Sequence, residues 1–127
     1  MDQYHKPHTK KVAAGTGGKR LKIRDKKRAH IGGSFCATKV SDNEVKKNVR
    51  ERGGNRKLKI KKAIYVNIGQ EKGSKKLKIK RVLESHNPEY VRMNIITRGA
   101  VVETEMGKVR ITNRVGQDGV VNGTLVK

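Results

Sequence analysis

The stretch that decides the fold is Leu58-Lys-Ile-Lys-Lys-Ala-Ile-Tyr-Val-Asn-Ile68, because its apolar residues recur on one parity. Those residues are Leu58, Ile60, Ile64, Val66 and Ile68. The opposite parity carries Lys57, Lys59, Lys61 and Tyr65. A period of two is typical of a β-strand with one buried face. After a polar break at 69–74, Leu77 and Ile79 resume the alternation between Lys76, Lys78 and Lys80, which predicts a β-hairpin with a lysine-bearing outer face.

Short apolar segments separated by turn signals continue to the end of the chain. They cover 95–97, 100–105, 109–113 and 120–126, and Asp118-Gly119 is a strong turn signal between the last two. A single helical turn is expected at 87–91, where Asn87 can cap and Pro88 suits the first helical position. Many short strands in a small domain predict a mainly β fold, a closed or nearly closed β-barrel with a basic, irregular N-terminal extension.

The charge of the chain is large and unevenly distributed. The 127 residues, enough for one domain, include 32 Lys and Arg against 11 Asp and Glu, a net charge of +21. Residues 1–34 carry ten positive and two negative side chains, 35–84 sixteen and five, and 85–127 six and four. The sequence therefore predicts a basic RNA-binding extension at 1–34 and a β-barrel domain at 35–127 whose last third is nearly neutral.

So high a charge calls for a polyanionic partner. Nucleic acid is favoured over an anionic membrane, since no apolar run approaches the roughly 20 residues that span a bilayer and no basic amphipathic helix is present. With no Trp, one Phe and three Tyr, the chain has few platforms for stacking bases. Phosphate and shape contacts with folded RNA or with duplex are therefore expected.

The extension has glycine-rich segments and no apolar periodicity, so it cannot offset its ordering entropy alone. A solvated tail without specific contacts is the alternative to an arm that folds on RNA. Basic runs beside the glycines favour the arm, and its candidate RNA-binding residues are Lys10, Lys11, Lys19, Arg20, Lys22, Arg24, Lys26, Lys27 and Arg28.

A second basic cluster surrounds Gly53-Gly54. Its candidate RNA-binding residues are Arg50, Arg52, Asn55, Arg56, Lys57, Lys59, Lys61 and Lys62. The glycines allow close approach of the backbone to phosphates, arginine offers bidentate contacts, and Asn55 tolerates a left-handed turn conformation. A solvent-exposed hairpin turn without a ligand is the alternative.

Sites for catalysis or metal binding are not predicted. Gly15-Thr-Gly-Gly-Lys19 is not a phosphate loop, because Ala13 replaces its first glycine and Arg20 its magnesium-binding hydroxyl. His5, His8, His30 and Cys36 match no paired zinc-ligand spacing, and Glu103 and Glu105 are expected on an outer sheet face. No enzyme activity, cofactor, metal or small-molecule substrate is expected. The single Cys36 excludes an internal disulfide, and the polar residues 1–11 predict no secretory signal.

Three stretches resemble a known family: 16–20 running into 24–28 and Gly32; 52–57; and the long pattern 87–92, 94–100 and 116–122. Together they cover nearly the whole chain. They are similar to the small-subunit ribosomal protein S-eight-e family of archaea and eukaryotes, and most of all to its short archaeal-type members. The resemblance implies a β-barrel body with a basic extension buried in small-subunit ribosomal RNA.

The expected function is that of a structural constituent of the small ribosomal subunit in the cytoplasm. It would bind and stabilise folded ribosomal RNA and contact neighbouring small-subunit proteins. Alternatives are a DNA-binding chromatin protein, a biogenesis factor that leaves before maturation, and, more remotely, an enzyme acting on RNA.

Overall fold

The structure is a computed structural model that describes residues 4, 12, 14–18, 28–70 and 73–126. The chain divides into two units, Met1–Phe35 and Cys36–Lys127. In the first unit, Tyr4 forms an isolated antiparallel bridge with Ile31, and Arg28–His30 form one turn of 3-10 helix. The sheets and helices described below belong to the second unit.

In chain order, the described strands of the second unit are β1 (Thr38–Val40), β2 (Val45–Arg50), β3 (Arg56–Ala63), β4 (Tyr65–Gln70), β5 (Gly73–Glu84), β6 (Ile95–Ile96), β7 (Val101–Thr104), β8 (Gly107–Ile111) and β9 (Asn122–Leu125). The helices are α1 (Pro88–Arg92) and α2 (Val115–Asp118). The predicted mainly β fold is confirmed.

Five strands form a closed barrel in the order β4-β5-β7-β8-β9. The neighbours in this order pair antiparallel, and the barrel closes where β9 runs parallel to β4, with Asn67 opposite Asn122 and Ile68 opposite Gly123. The antiparallel pairing of β4 with β5 confirms the part of the predicted hairpin that lies beyond Ile64. Leu77 and Ile79 are buried, and the alternating Lys76, Lys78 and Lys80 are exposed, as the pattern requires.

The remaining four strands form a separate sheet in the order β2-β3-β1-β6. The prediction that 58–68 forms one strand of the hairpin is therefore wrong, because the strand ends at Ala63 and a new one begins at Tyr65 in the other sheet. Lys62 stands on the apolar parity of the stretch and is exposed, whereas Ile60 and Ala63 are both buried. The buried side changes parity there, which a single regular strand does not permit.

The core of the second unit is built from aliphatic side chains, among them Ile60, Val66, Ile68, Val102 and Val109. Polar groups beneath the surface are satisfied locally: the buried Thr38 hydroxyl donates to the carbonyl of Ile60 at 2.6 Å. Among the described residues, no buried side-chain nitrogen or oxygen lacks a hydrogen-bond partner. Cys36, half-buried, directs its thiol to the same carbonyl at 3.3 Å.

The two helices are single turns with defined caps. The predicted turn at Asn87-Pro88 is confirmed, since the Asn87 side chain accepts a hydrogen bond from the backbone N–H of Glu89 and Pro88 begins α1. Helix α2 occupies the segment where the sequence predicted a turn. Asp118 accepts a hydrogen bond from the backbone N–H of Arg114, and Gly119 ends the turn with φ of 71°.

Candidate nucleic-acid interface

The hairpin formed by β2 and β3, residues 45–63, concentrates positive charge on a small element. Its sequence contains nine lysines and arginines and one acidic residue, Glu51. The Glu51 carboxylate lies 3.2 Å from the ammonium of Lys57, so this acidic group is already engaged inside the hairpin. Strand β2 is an edge of its sheet and is exposed except at Val49, which is half-buried. The hairpin is thus strongly cationic, and few of its positive charges are neutralised by acidic groups of its own.

The tip of the hairpin is a 3-10 turn over Arg52–Gly54, closed by a hydrogen bond from the N–H of Glu51 to the carbonyl of Asn55 at 2.7 Å. Gly53 and Gly54 both have φ of 79°, a left-handed conformation that glycine adopts without steric cost. Asn55 is extended, with φ of −66° and ψ of 155°. The left-handed conformation that Asn55 could tolerate is supplied instead by the two glycines.

Cross-strand register places like charges directly opposite each other in this hairpin. Lys47 faces Lys59, and Arg50 faces Arg56. In the neighbouring parallel pair, Lys39 faces Lys62. Like charges at directly opposed positions destabilise a sheet, whereas opposite charges stabilise it by roughly 0.2–1 kcal/mol per pair. No carboxylate of the described residues is within ion-pair distance of these six cations.

The opposed lysines give a prediction about stability. Replacing Lys47 with Glu converts a repulsive cross-strand pair into an attractive one, so we expect the free energy of unfolding to rise by about 0.5–1 kcal/mol at low salt. The gain should shrink at 1 M salt, where the Debye length is about 3 Å. Urea unfolding at two salt concentrations measures both effects.

Arg110→Glu is the matched control, because it changes the net charge equally at an exposed strand position whose partners are Val101 and Thr124. Its effect should stay within about 0.5 kcal/mol. Equal stabilisation by the two variants would mean that general charge reduction, and not the opposed pair, limits stability.

The two faces of the hairpin differ. Leu58, although 42% exposed, packs its side chain against Gly119 at the end of α2, and Ile60 on the same face is buried. The opposite face presents Lys47, Lys57 and Lys59, the last half-buried. Leu58 and Ile60 thus anchor one face of the hairpin to the rest of the second unit. The opposite face, and the exposed Arg50 and Arg56 beside the tip, are left for a ligand.

The structure describes some of the predicted binding residues and not others. Arg50, Asn55, Arg56, Lys57, Lys61 and Lys62 are exposed, Lys59 is half-buried, and Arg28 is exposed in the first unit. Arg52 lies in the tip turn. The remaining predicted residues lie outside the described part of the chain: Lys10, Lys11, Lys19, Arg20, Lys22, Arg24, Lys26 and Lys27.

Sequence reasoning did not assign a binding role to several exposed cations of the same region. Lys46 and Lys47 lie on β2, Lys39 lies on β1, and a row on β5 comprises Lys76, Lys78 and Lys80. The signal for β5 was present, because these lysines were expected on an outer strand face. The β2 residues gave no such signal, since Val45-Lys-Lys-Asn-Val-Arg50 does not alternate apolar and polar positions regularly.

Other kinds of site find no support in the described residues. They contain no group of three or more His, Cys, Asp or Glu side chains arranged to hold a metal ion, and His5 and His8 lie outside them. Glu103 pairs with Arg81 at 2.7 Å and is thus engaged in an ion pair. None of the described helices is long and apolar enough to cross a membrane.

Comparison with known proteins identifies the family. The family model described as ribosomal protein S8e matches residues 5–126. Small ribosomal subunit protein eS8 of Staphylothermus marinus is 44% identical over 88% of this chain and 90% of its own length. Proteins of the same name from Sulfolobus acidocaldarius, 42% identical over 100% and 99%, and from Nanoarchaeum equitans, 43% identical over 88% and 90%, are also similar. The match covers both units, and the predicted resemblance and the prediction of a structural ribosomal protein that is not an enzyme are confirmed. The chain belongs to the ribosomal protein S8e family.

Proposed function

We propose that this protein, a structural constituent of the small ribosomal subunit in the cytoplasm, binds folded ribosomal RNA through the β2–β3 hairpin and the basic segment 10–28. Its relatives are named small ribosomal subunit proteins, and ribosomal RNA is the abundant polyanion of that assembly. The hairpin and the basic segment bring lysine and arginine to phosphates, and the barrel serves as the folded body. Neighbouring small-subunit proteins are the other expected partners.

The observation that carries the proposal is the set of directly opposed cations in the hairpin. An arrangement in which Lys47 faces Lys59 and Arg50 faces Arg56 costs stability in the isolated protein. A phosphate placed between two opposed cations attracts both of them and so offsets their mutual repulsion. Any ligand that binds the folded state stabilises it in proportion to its affinity, so the arrangement is favourable once phosphates are present.

Removing hairpin cations is expected to weaken binding without unfolding the protein. In the variant R50Q/R56Q/K59Q/K61Q, four cations are lost, and each neutralised phosphate contributes about 0.9 to the slope of log affinity against log salt on duplex. We therefore expect the slope to fall by up to about 4 and the affinity at 0.1 M salt to fall by roughly 100-fold or more. Filter binding to transcribed small-subunit ribosomal RNA, at a series of salt concentrations, measures both quantities.

A matched control removes the same charge from the nearly neutral part of the sequence. R98Q/K108Q/R110Q/R114Q also removes four exposed cations, and its affinity should fall less than about threefold if contacts and not net charge determine binding. Thermal unfolding of both variants verifies the fold. Equal losses of affinity in the two variants would contradict the assignment of the hairpin.

The alternatives differ in where the protein is found and what it prefers. Sedimentation of cell extract at moderate salt should place it stoichiometrically in mature small subunits, even after a high-salt wash. Presence restricted to lighter precursor particles would instead indicate an assembly factor. Equal affinity for duplex DNA and structured ribosomal RNA, with migration alongside chromatin, would support the DNA-binding alternative.

A further inference from the structure

The outer surface of the barrel carries a second set of cations, on β5. Lys76, Lys78 and Lys80 are exposed, and they alternate with the buried Leu77 and Ile79. Alternate residues of a strand are about 6.8 Å apart and point to the same side. The three lysines therefore lie along the exposed side of one strand, and a register irregularity follows between Ile79 and Arg81. They are here called the β5 lysine row. It belongs to the barrel, whereas the hairpin belongs to the four-stranded sheet.

The first lysine of the row is held in place without losing its charge. The Lys76 ammonium lies 4.3 Å from the centroid of the Tyr65 ring, a cation–π contact with the neighbouring strand β4. An aromatic ring attracts a cation through its quadrupole but does not neutralise it. Tyr65 also lies opposite Lys78 in the β4–β5 register. Less side-chain entropy is then lost when Lys76 binds an anion, because its position is already restricted.

The other two lysines are also available to an anion. Lys78 pairs with Asp42 at 3.3 Å, but the Asp42 side chain is 92% exposed. Exposed ion pairs of this kind contribute at most about 1 kcal/mol and exchange readily. For Lys76 and Lys80, no described carboxylate lies within ion-pair distance. A phosphate that reaches the row thus competes with one weak partner.

The neighbouring part of the barrel surface, from Arg81 toward β7 and β8, provides the contrast. There Arg81 and Glu103 pair at 2.7 Å, and Glu103 stands directly across from Lys108 in the β7–β8 register. Cations and acids alternate across these strands and compensate one another. The barrel surface is therefore polarised, with a weakly compensated row at Lys76, Lys78 and Lys80 and a balanced surface where Arg81 meets β7 and β8.

We propose that the β5 lysine row is a second RNA-binding surface, which contacts the phosphates of a ribosomal RNA strand at a place separate from those bound by the hairpin. Successive exposed cations along one strand suit the repeated charge of a nucleic-acid backbone, and lysine ammonium groups bind phosphates without reading bases. This inference rests on the proposed function, because it takes ribosomal RNA as the polyanion. It adds that the barrel itself takes part in binding.

The test uses the full chain and transcribed small-subunit ribosomal RNA. K76Q/K78Q/K80Q should weaken binding at 0.1 M salt by roughly 10-fold or more and lower the salt slope by about 2 to 3. R98Q/K108Q/R110Q removes the same charge from exposed positions outside the row, and it should change the affinity less than about threefold. Both variants should keep the thermal unfolding transition of the parent.

The outcomes separate the two proposals. If the unmodified protein does not bind ribosomal RNA in preference to duplex DNA, the proposed function fails and the inference fails with it. If it binds, and the hairpin variant is weakened while the K76Q/K78Q/K80Q variant matches its control, the inference alone is overturned. A row variant that binds RNA normally but no longer binds polyglutamate would also overturn it, since the row would then serve an acidic protein.

A chemical footprint gives an independent readout of the same surface. Acetylation of lysines in the complex, followed by mass spectrometry, should show Lys76 and Lys80 protected by RNA and Lys108 unprotected. Substitution Tyr65→Leu should reduce the protection of Lys76 because it removes the ring that positions the ammonium, and Tyr65→Phe should preserve it. Unchanged reactivity of Lys76 and Lys80 in the RNA complex would contradict the proposal.

Discussion

Replacing Lys19, Arg20, Arg24, Lys26, Lys27 and Arg28 with alanine is expected to weaken binding to small-subunit ribosomal RNA by at least about 100-fold at 0.1 M salt. Residues 19–28 hold seven cations, the densest positive charge of the N-terminal part of the sequence, and the variant removes six of them. If all six contact phosphates, the salt slope should fall by about 5, since each contact releases about 0.9 counterion on duplex. Filter binding over a range of salt concentrations measures the effect.

The same variant should keep the thermal unfolding transition of the parent, because the barrel and the four-stranded sheet are formed by residues from Thr38 onward. Loss of that transition would mean that the basic segment supports the fold, and the weaker binding would then say nothing about contacts. A variant with lysine and arginine exchanged at these positions keeps the charge. Its binding should stay within a few-fold of the parent if charge dominates, and fall markedly if bidentate arginine contacts do.

Alanine at Gly123 is expected to cause the largest loss of stability among single substitutions. A Cβ atom there would stand 2.5 Å from Cγ1 of Val109 and 2.9 Å from the carbonyl oxygen of Arg110. Gly123 is buried on β9, between β8 and β4, where the barrel closes. Overpacking of this kind costs about 3 kcal/mol, enough to lower the Tm by more than about 10 °C.

Gly69→Ala is the control, because Gly69 lies on β4 of the same barrel with open space around a Cβ position and no positive φ. Its stability should be unchanged or higher by up to about 1 kcal/mol, since alanine restricts the unfolded chain. Chemical denaturation compares the two variants. A Gly123→Ala protein as stable as the parent would show that β8 and β9 can separate to admit a methyl group.

Local alternation predicted the barrel well because its strands bury one face and expose the other. Leu77 and Ile79, with lysines between them, are the clearest instance. The division of 58–68 into two strands was harder to predict from the sequence, although Lys62 at a position of the apolar parity indicated a break in the strand. Helix α2 was missed because side-chain hydrogen bonds that the apolar pattern does not reveal stabilise it: the Asp118 carboxylate accepts hydrogen bonds from the backbone of Arg114 and the side chain of Asn113. Propensity favours a turn at Asp118-Gly119, and Gly119 does end that helix.

The sequence predicted which residues form the candidate site but not how the fold arranges them. The density of cations around Gly53-Gly54 marked the hairpin tip, and the turn there is present. The opposition of Lys47 to Lys59 depends on the register between β2 and β3, and β2 has no apolar alternation to reveal its pairing. The distinction between the β5 lysine row and the compensated β7–β8 surface likewise depends on which strands become neighbours in the barrel. The charge of a sequence shows how many phosphates a protein can neutralise. The register of its strands shows where on the surface the cations lie.

The parallel pairing of β9 with β4 has a consequence for the order of events during synthesis. Strand β4 leaves the translating ribosome more than fifty residues before β9, its partner across the closure. The barrel therefore cannot close until residues 122–125 have emerged, and such long-range pairing forms slowly. The basic segment and the hairpin emerge earlier, when the nearest surface is the RNA of the ribosome making them. Nascent chains thus expose most of their positive charge while the β4 edge is still unpaired, and that edge is covered only when the last strand joins it.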